Sequence, residues 1–218
     1  CDFNFYCYTE DSKELDNNII VVPLKKPDLF KLQWHKLIFH KNNFAGVKTG
    51  EKCLILDIDW IIINDVNDIL NHNFNKDSFV CFERWWSKKK KDCLINGGFQ
   101  MFHMGDTDHL WQKFIEDPSY WQEYYVSNGL AEGPVNGEQN FIDNHINIKR
   151  QYLPKEWFGK YYDKEMDYIQ SRWLYYIDKH SVFYLNEFFD ERVKMIHFAN
   201  ANNLIENYKE NWIKAHWE

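Results

Sequence analysis

Cys53-Leu54-Ile55-Leu56 is an unbroken apolar run that ends at once in Asp57-Ile58-Asp59. A run this short, without alternation of apolar and polar residues, suits a buried strand with helices over both faces. Gly46 and Gly50 supply the turn into it. Ahead of the turn, Phe30, Trp34, Leu37 and Ile38 fall near one face of a helix drawn through residues 30–39. Residues 18–23, a β-branched run closed by Pro23, read as a strand, so the segment as a whole predicts a βαβ unit.

The same reading extends along the chain. Residues 3–8 alternate and are rich in aromatics, which predicts an opening strand. Residues 64–70 read as a turn into a short helix, and residues 78–82, 98–103, 149–153 and 194–198 as further strands. Asp106 or Thr107 is placed to cap a helix that runs to about Glu116, and a second helix is expected over residues 138–147. The tail over residues 202–218 is amphipathic, with Leu204, Ile205, Tyr208, Trp212 and Ile213 on its apolar side. No composition shift marks a linker, so residues 1–218 are expected to form a single α/β domain with a mostly parallel central sheet flanked by helices.

Composition narrows the function. A net charge of −7 opposes nucleic-acid binding, which needs a surplus of Lys and Arg to replace counterions. The basic run Lys88–Lys91 reads as a solvated loop. Five cysteines without a CxxC spacing suggest neither a disulfide framework nor a zinc site and favour a reducing, cytoplasmic setting. No run approaches the length of a membrane span, so a soluble chain is expected. Aromatic residues reach 18%, enough to line a cleft for sugars or bases as well as to fill a core.

The chemistry is concentrated at Asp57 and Asp59. Two carboxylates two apart in extended chain share one side, and like charges that close repel unless a cation lies beside them. Oxygen ligands point to Mg2+ or Mn2+, which keep positions open for phosphate oxygens. Strand carboxyl ends are also where open α/β sheets bind ligands. A turn-forming or helix-capping pair of aspartates is the other reading. A haloacid-dehalogenase-like phosphatase also carries DxD after an apolar strand, but it follows the motif with small residues where this chain has Trp60-Ile61. A non-catalytic carbohydrate-binding module would explain the aromatics and leave the acids without a task.

Five blocks in order resemble the GT-A glycosyltransferases of the glycogenin-like and galactosyltransferase-like kind. They are Trp34-His35-Lys36-Leu37, then Asp57-Ile58-Asp59, then Asn96-Gly97-Gly98-Phe99-Gln100-Met101-Phe102. Gly137-Glu138-Gln139-Asn140-Phe141-Ile142 and Ile196-His197-Phe198 complete the set. The resemblance implies a Rossmann-like GT-A domain transferring sugar from a nucleoside diphosphate, UDP favoured, to a hydroxyl acceptor such as a glycan. It implies Asp57, Asp59 and His197 as ligands of Mn2+ (or Mg2+), and Trp34, Lys36, Ile58, Asn96, Gly97 and Gly98 with the acids on the donor. Glu138 and Gln139 would act on the donor sugar or the reacting hydroxyl, and Trp86 and Trp157 are expected on the acceptor side. Two departures stand out. Ala199-Asn200-Ala201-Asn202-Asn203 replaces the glycine and lysine that follow the family histidine. Residues 3–8 match the family's second strand, so its nucleobase-binding first strand is expected to be absent from this sequence.

Overall fold

The computed structural model describes residues 2–26, 28–84, 93–131, 137–161 and 192–198. The basic run Lys88–Lys91, Trp86 and the amphipathic tail lie outside them. The strands are β1 (Tyr6–Thr9), β2 (Ile20–Pro23), β3 (Lys52–Leu56), β4 (Trp60–Ile62), β5 (Ser78–Glu83), β6 (Ile95–His103), β7 (Lys149–Tyr152), β8 (Phe158–Tyr161) and β9 (Met195–Phe198). The α-helices are α1 (Asn67–Leu70), α2 (Asp108–Glu116), α3 (Pro118–Ser127) and α4 (Glu138–His145). The helix foreseen over residues 30–39 is a 3-10 helix, Leu32–His40.

Three sheets form, in the orders β1-β2, β3-β6-β5-β7 and β4-β9-β8. The pairing is mixed: β1 and β2 pair parallel, as do β8 and β9, and β4 runs antiparallel to β9. The chain turns at Ile58-Asp59 immediately after β3, so β4 departs from β3 into another sheet. The βαβ unit is not made within one sheet either, because β2 pairs with β1 while β3 pairs with β6.

β3 also differs from a strand covered on both faces. It is outermost among the described strands of its sheet, and Leu54 is 37% exposed beside the exposed Lys52. The continuous burial expected of β3 belongs instead to β5 and β6, which are buried along nearly their whole length.

The described residues fall into two compact units. The first comprises Cys1–Leu54, Phe74–Phe79 and Met101–Arg150. Its core is aromatic: Trp34 stacks on Phe114 at 5.4 Å and meets Tyr125 and Phe141 at steeper angles. Leu110, Trp111 and Phe114 form the buried stripe of α2. Thr107 precedes α2 but makes no cap hydrogen bond, because its hydroxyl lies 3.0 Å from the buried His40 Nδ1. Asp117 caps α3 by accepting from the Tyr120 N–H, and Pro118 opens the first turn. Gly137 precedes α4 where a Cβ would lie 2.6 Å from Tyr125 Cβ and 2.9 Å from Trp34, so only glycine lets the helix start against this core.

The second unit comprises Ile55–Asn73, Val80–Gln100 and Gln151–Glu218. Its described core gathers Trp60, Phe82, Phe99 and Phe158, with Phe82 and Phe99 centroids 4.6 Å apart. Lys194 ties the approach to β9: its ammonium donates to Asp65 O at 3.0 Å and meets Asp68 Oδ2 at 2.7 Å. Among the described residues Cys7, Cys53, Cys81 and Cys93 form no disulfide. No described helix is long and apolar enough to cross a membrane.

Candidate metal centre

Asp57 ends the ladder of β3, its N–H donating to Gly98 O at 2.9 Å. The two acids were expected in extended chain, with both carboxylates to one side. They are instead separated by the turn at Ile58-Asp59, because β4 begins at Trp60 and the chain must change sheets within those residues. Ile58 stands at that turn with its side chain 94% exposed. Asp59 Oδ2 lies 3.0 Å from His197 Nε2. Pairing of β4 with β9 brings them together, since the register sets Trp60 opposite His197 and Asp59 directly before that pair. Trp60 lies flat on the imidazole, with centroids 4.6 Å apart and planes 9° from parallel.

Asn96 and Gly98 complete this cluster from β6. Asn96 Oδ1 accepts from the Gly98 N–H at 2.8 Å, which bends the amide back over its own strand. A Cβ built on Gly98 would lie 3.0 Å from Asp57 Oδ2, 3.1 Å from Trp60 Nε1 and 3.2 Å from Asn96 Oδ1. Glycine is therefore what lets a carboxylate, an indole edge and an amide crowd one backbone position. Trp60 Nε1 and Asn96 Nδ2 are buried donors with no hydrogen-bond partner among the described residues. Gly97 O accepts from Gln100 Nε2 at 2.8 Å, a contact internal to β6.

The 3.0 Å between Asp59 Oδ2 and His197 Nε2 is a hydrogen-bond distance, and carboxylate oxygen and imidazole nitrogen are both ligand types for a divalent cation. Neutral imidazole beside carboxylate favours Mn2+ over Mg2+. Among the described residues no group of three or more His, Cys, Asp or Glu side chains is gathered at metal-holding distance. The pair Asp59–His197 is in place, while the Asp57 carboxylate lies against Gly98.

The remaining sequence candidates sit elsewhere. In the first unit, Lys36 Nζ pairs with Glu138 Oε1 at 2.9 Å, with side chains 13% and 4% exposed. Glu138 is the first residue of α4, where a negative charge is favourable, and Gln139 follows it half-buried. Trp34 was expected at the donor, but it is wholly buried in the aromatic core and supports the helix that carries Lys36. Trp157 is half-buried in the second unit under the Lys194 ammonium, 5.4 Å from its ring. Sequence reasoning missed Trp60 as a member of the cluster. The signal was present, because a large ring follows Asp59 where a small residue would have sufficed for a turn.

No family model matches the sequence, and no curated protein does. Solved structures match in shape. The glycosyltransferase GlyE of Streptococcus pneumoniae TIGR4 superposes with a TM-score of 0.56 at 13% identity over 92% of this chain and 46% of GlyE. Its apo form gives 0.52 at 12% identity over 92% and 45%. A galactosyltransferase, LgtC, in complex with donor and acceptor sugar analogs is similar at a TM-score of 0.47 and 13% identity over 85% of this chain and 68% of LgtC, too distant to bear on the chemistry here. The chain thus spans about half the length of GlyE and has the mixed α/β, GT-A-like fold of that glycosyltransferase.

Proposed function

We propose that the chain is a metal-dependent glycosyltransferase that moves a sugar from a nucleoside diphosphate, UDP favoured, to a hydroxyl acceptor, in the first instance a glycan. The observation that carries this reading is the 3.0 Å approach of Asp59 to His197, in a chain with a glycosyltransferase-like fold. Asp57, Asp59 and His197 would hold Mn2+ (or Mg2+). Bound there, the cation supplies Lewis-acid stabilisation of the departing diphosphate.

The chain's own groups do the rest. Asn96 Nδ2 offers a buried N–H donor to acceptor oxygens, such as sugar hydroxyls, and Gly97 and Gly98 would lie beside it on the donor side. Ile58 offers a solvent-facing apolar surface between the two acids. For Lys36 and Glu138 we propose sugar contacts: the ammonium donates to hydroxyl or phosphate oxygens, and the carboxylate accepts from a hydroxyl. Gln139 would add an amide, and Trp86 and Trp157 a flat face for the acceptor. In the transfer, the bond from the anomeric carbon to the diphosphate breaks with its electron pair leaving on the nucleotide. The acceptor oxygen bonds to that carbon, and its proton passes to a carboxylate, with Glu138 as candidate base.

The test is nucleotide release from UDP-, GDP- and dTDP-sugars with Mn2+. Release from at least one, lost with EDTA and in Asp59→Asn, supports the reading. Indifference to both, or phosphate release from a generic phosphoester without a sugar nucleotide, contradicts it.

A further inference from the structure

We infer that Trp60 is a positioning residue for the metal centre, fixing the plane of the His197 imidazole. This rests on the metal reading above and extends it to a residue that touches no reacting atom. Three observations carry it. The indole and imidazole are stacked at 4.6 Å with planes 9° apart. They are cross-strand partners in the β4–β9 register, so backbone pairing sets the stack. The indole is itself immobilised: it is 7% exposed and backed by Phe82, Phe99 and Phe158 at 6.1, 6.3 and 5.7 Å.

An imidazole binds a cation through a lone pair lying in the ring plane, and its terminal torsion is soft, so its own backbone does not fix that plane. Here Trp60 supplies what is missing, setting the plane from the face. The stack also responds to the cation. A metal-bound imidazole is electron-poor, and an indole face attracts positive charge more strongly than other aromatic faces. Trp60 Nε1 and Asp57 Oδ2 also border the same position of Gly98, 3.1 and 3.0 Å from a Cβ built there.

The experiment is Mn2+ binding to the full chain, followed by loss of the free-ion electron paramagnetic resonance signal, with thermal melting of each variant alongside. Outer partners of metal ligands change affinity about 10–100-fold when removed, so Trp60→Leu and Trp60→Val are expected to bind Mn2+ at least about tenfold more weakly. Trp60→Phe keeps a ring on His197 and is expected to recover most of the loss. Affinities within twofold of wild type in Leu and Val variants that fold overturn the inference, even if their melting temperatures drop, and leave a packing role alone. If neither folds, Trp60→Met, which fills the volume without a ring, decides: Mn2+ affinity at least about tenfold below that of Trp60→Phe supports the inference, and affinity within twofold of it overturns it. Wild-type protein that binds no Mn2+ sinks the metal reading itself. Binding lost in Asp59→Asn but kept in the Trp60 variants sinks only the role of Trp60.

Discussion

Gly98→Ala probes how tightly the acid cluster is built. The added Cβ would meet Asp57 Oδ2 at 3.0 Å, Trp60 Nε1 at 3.1 Å and Asn96 Oδ1 at 3.2 Å. Comfortable carbon contacts lie at about 3.5–4.0 Å, so each neighbour must retreat by several tenths of an ångström. Trp60 is buried and backed by phenylalanines, so the retreat falls on Asp57 and Asn96. Overpacking of this kind costs about 1–3 kcal/mol, or about 2–12 °C of melting temperature in a chain this long. The displacement also exceeds the roughly 0.2 Å tolerance of a metal–ligand distance, so Mn2+ affinity is expected to fall about tenfold. Gly129→Ala is the control. Gly129 has φ +65 with nothing within 4 Å, so alanine there costs about 1–2 kcal/mol of backbone strain and should leave Mn2+ binding untouched. Differential scanning calorimetry and Mn2+ titration of both variants give the answer. Unchanged Mn2+ affinity in Gly98→Ala, or equal losses in both variants, would refute the reasoning.

Three other outcomes follow from the described residues. Lys36→Met strips the cation from the buried Glu138 carboxylate and should cost about 3–5 kcal/mol in denaturant unfolding, with most of it regained in Lys36→Met/Glu138→Gln; a wild-type midpoint for the single variant contradicts this. His145 is held down to about 4 by burial, with Lys113 adding to the effect, while its ordinary value is 6.5. The unfolded chain therefore binds that proton first, and the stability tied to neutral His145 is complete above about pH 6.5 and declines as pH falls toward 4. His145→Asn should flatten the melting profile across that window, and an unaltered slope would count against it. The Cys53 thiol is pushed up to about 11 by burial and then by Glu51, so iodoacetamide at pH 8 should label it far more slowly than a free thiol; mass spectrometry showing free-thiol rates would contradict this.

Much of the element order was legible because short apolar runs and caps are local signals. β5, β7 and β9 lie where those signals put them. The pairing was not legible. Nothing local in Cys53-Leu54-Ile55-Leu56 reveals that the strand is outermost among those described, with Leu54 exposed, since exposure is decided by which strand lies alongside. α3 went unread although Asp117-Pro118 is a start signal, because its rings and polar groups alternate around the helix and only Gln122 and Tyr125 are buried. At the acids, residue identity pointed to a cation but assumed extended chain. The turn at Ile58-Asp59 and the β4–β9 register then determined that Asp59, rather than Asp57, meets His197. Trp60 was overlooked for the same reason, as its importance comes from a partner 137 positions away, at His197, that only pairing reveals.

The central claim is that Asp57, Asp59 and His197 form a metal-dependent site for a nucleoside-diphosphate sugar. Calorimetric titration of UDP-sugars, with GDP- and dTDP-sugars in parallel, tests it most directly when run with Mn2+, with EDTA, and on Asp59→Asn. Saturable binding of a nucleotide sugar that needs Mn2+ and disappears in Asp59→Asn is the predicted result. No binding of any nucleotide sugar with Mn2+ or Mg2+, or binding indifferent to chelation and to the substitution, would contradict it.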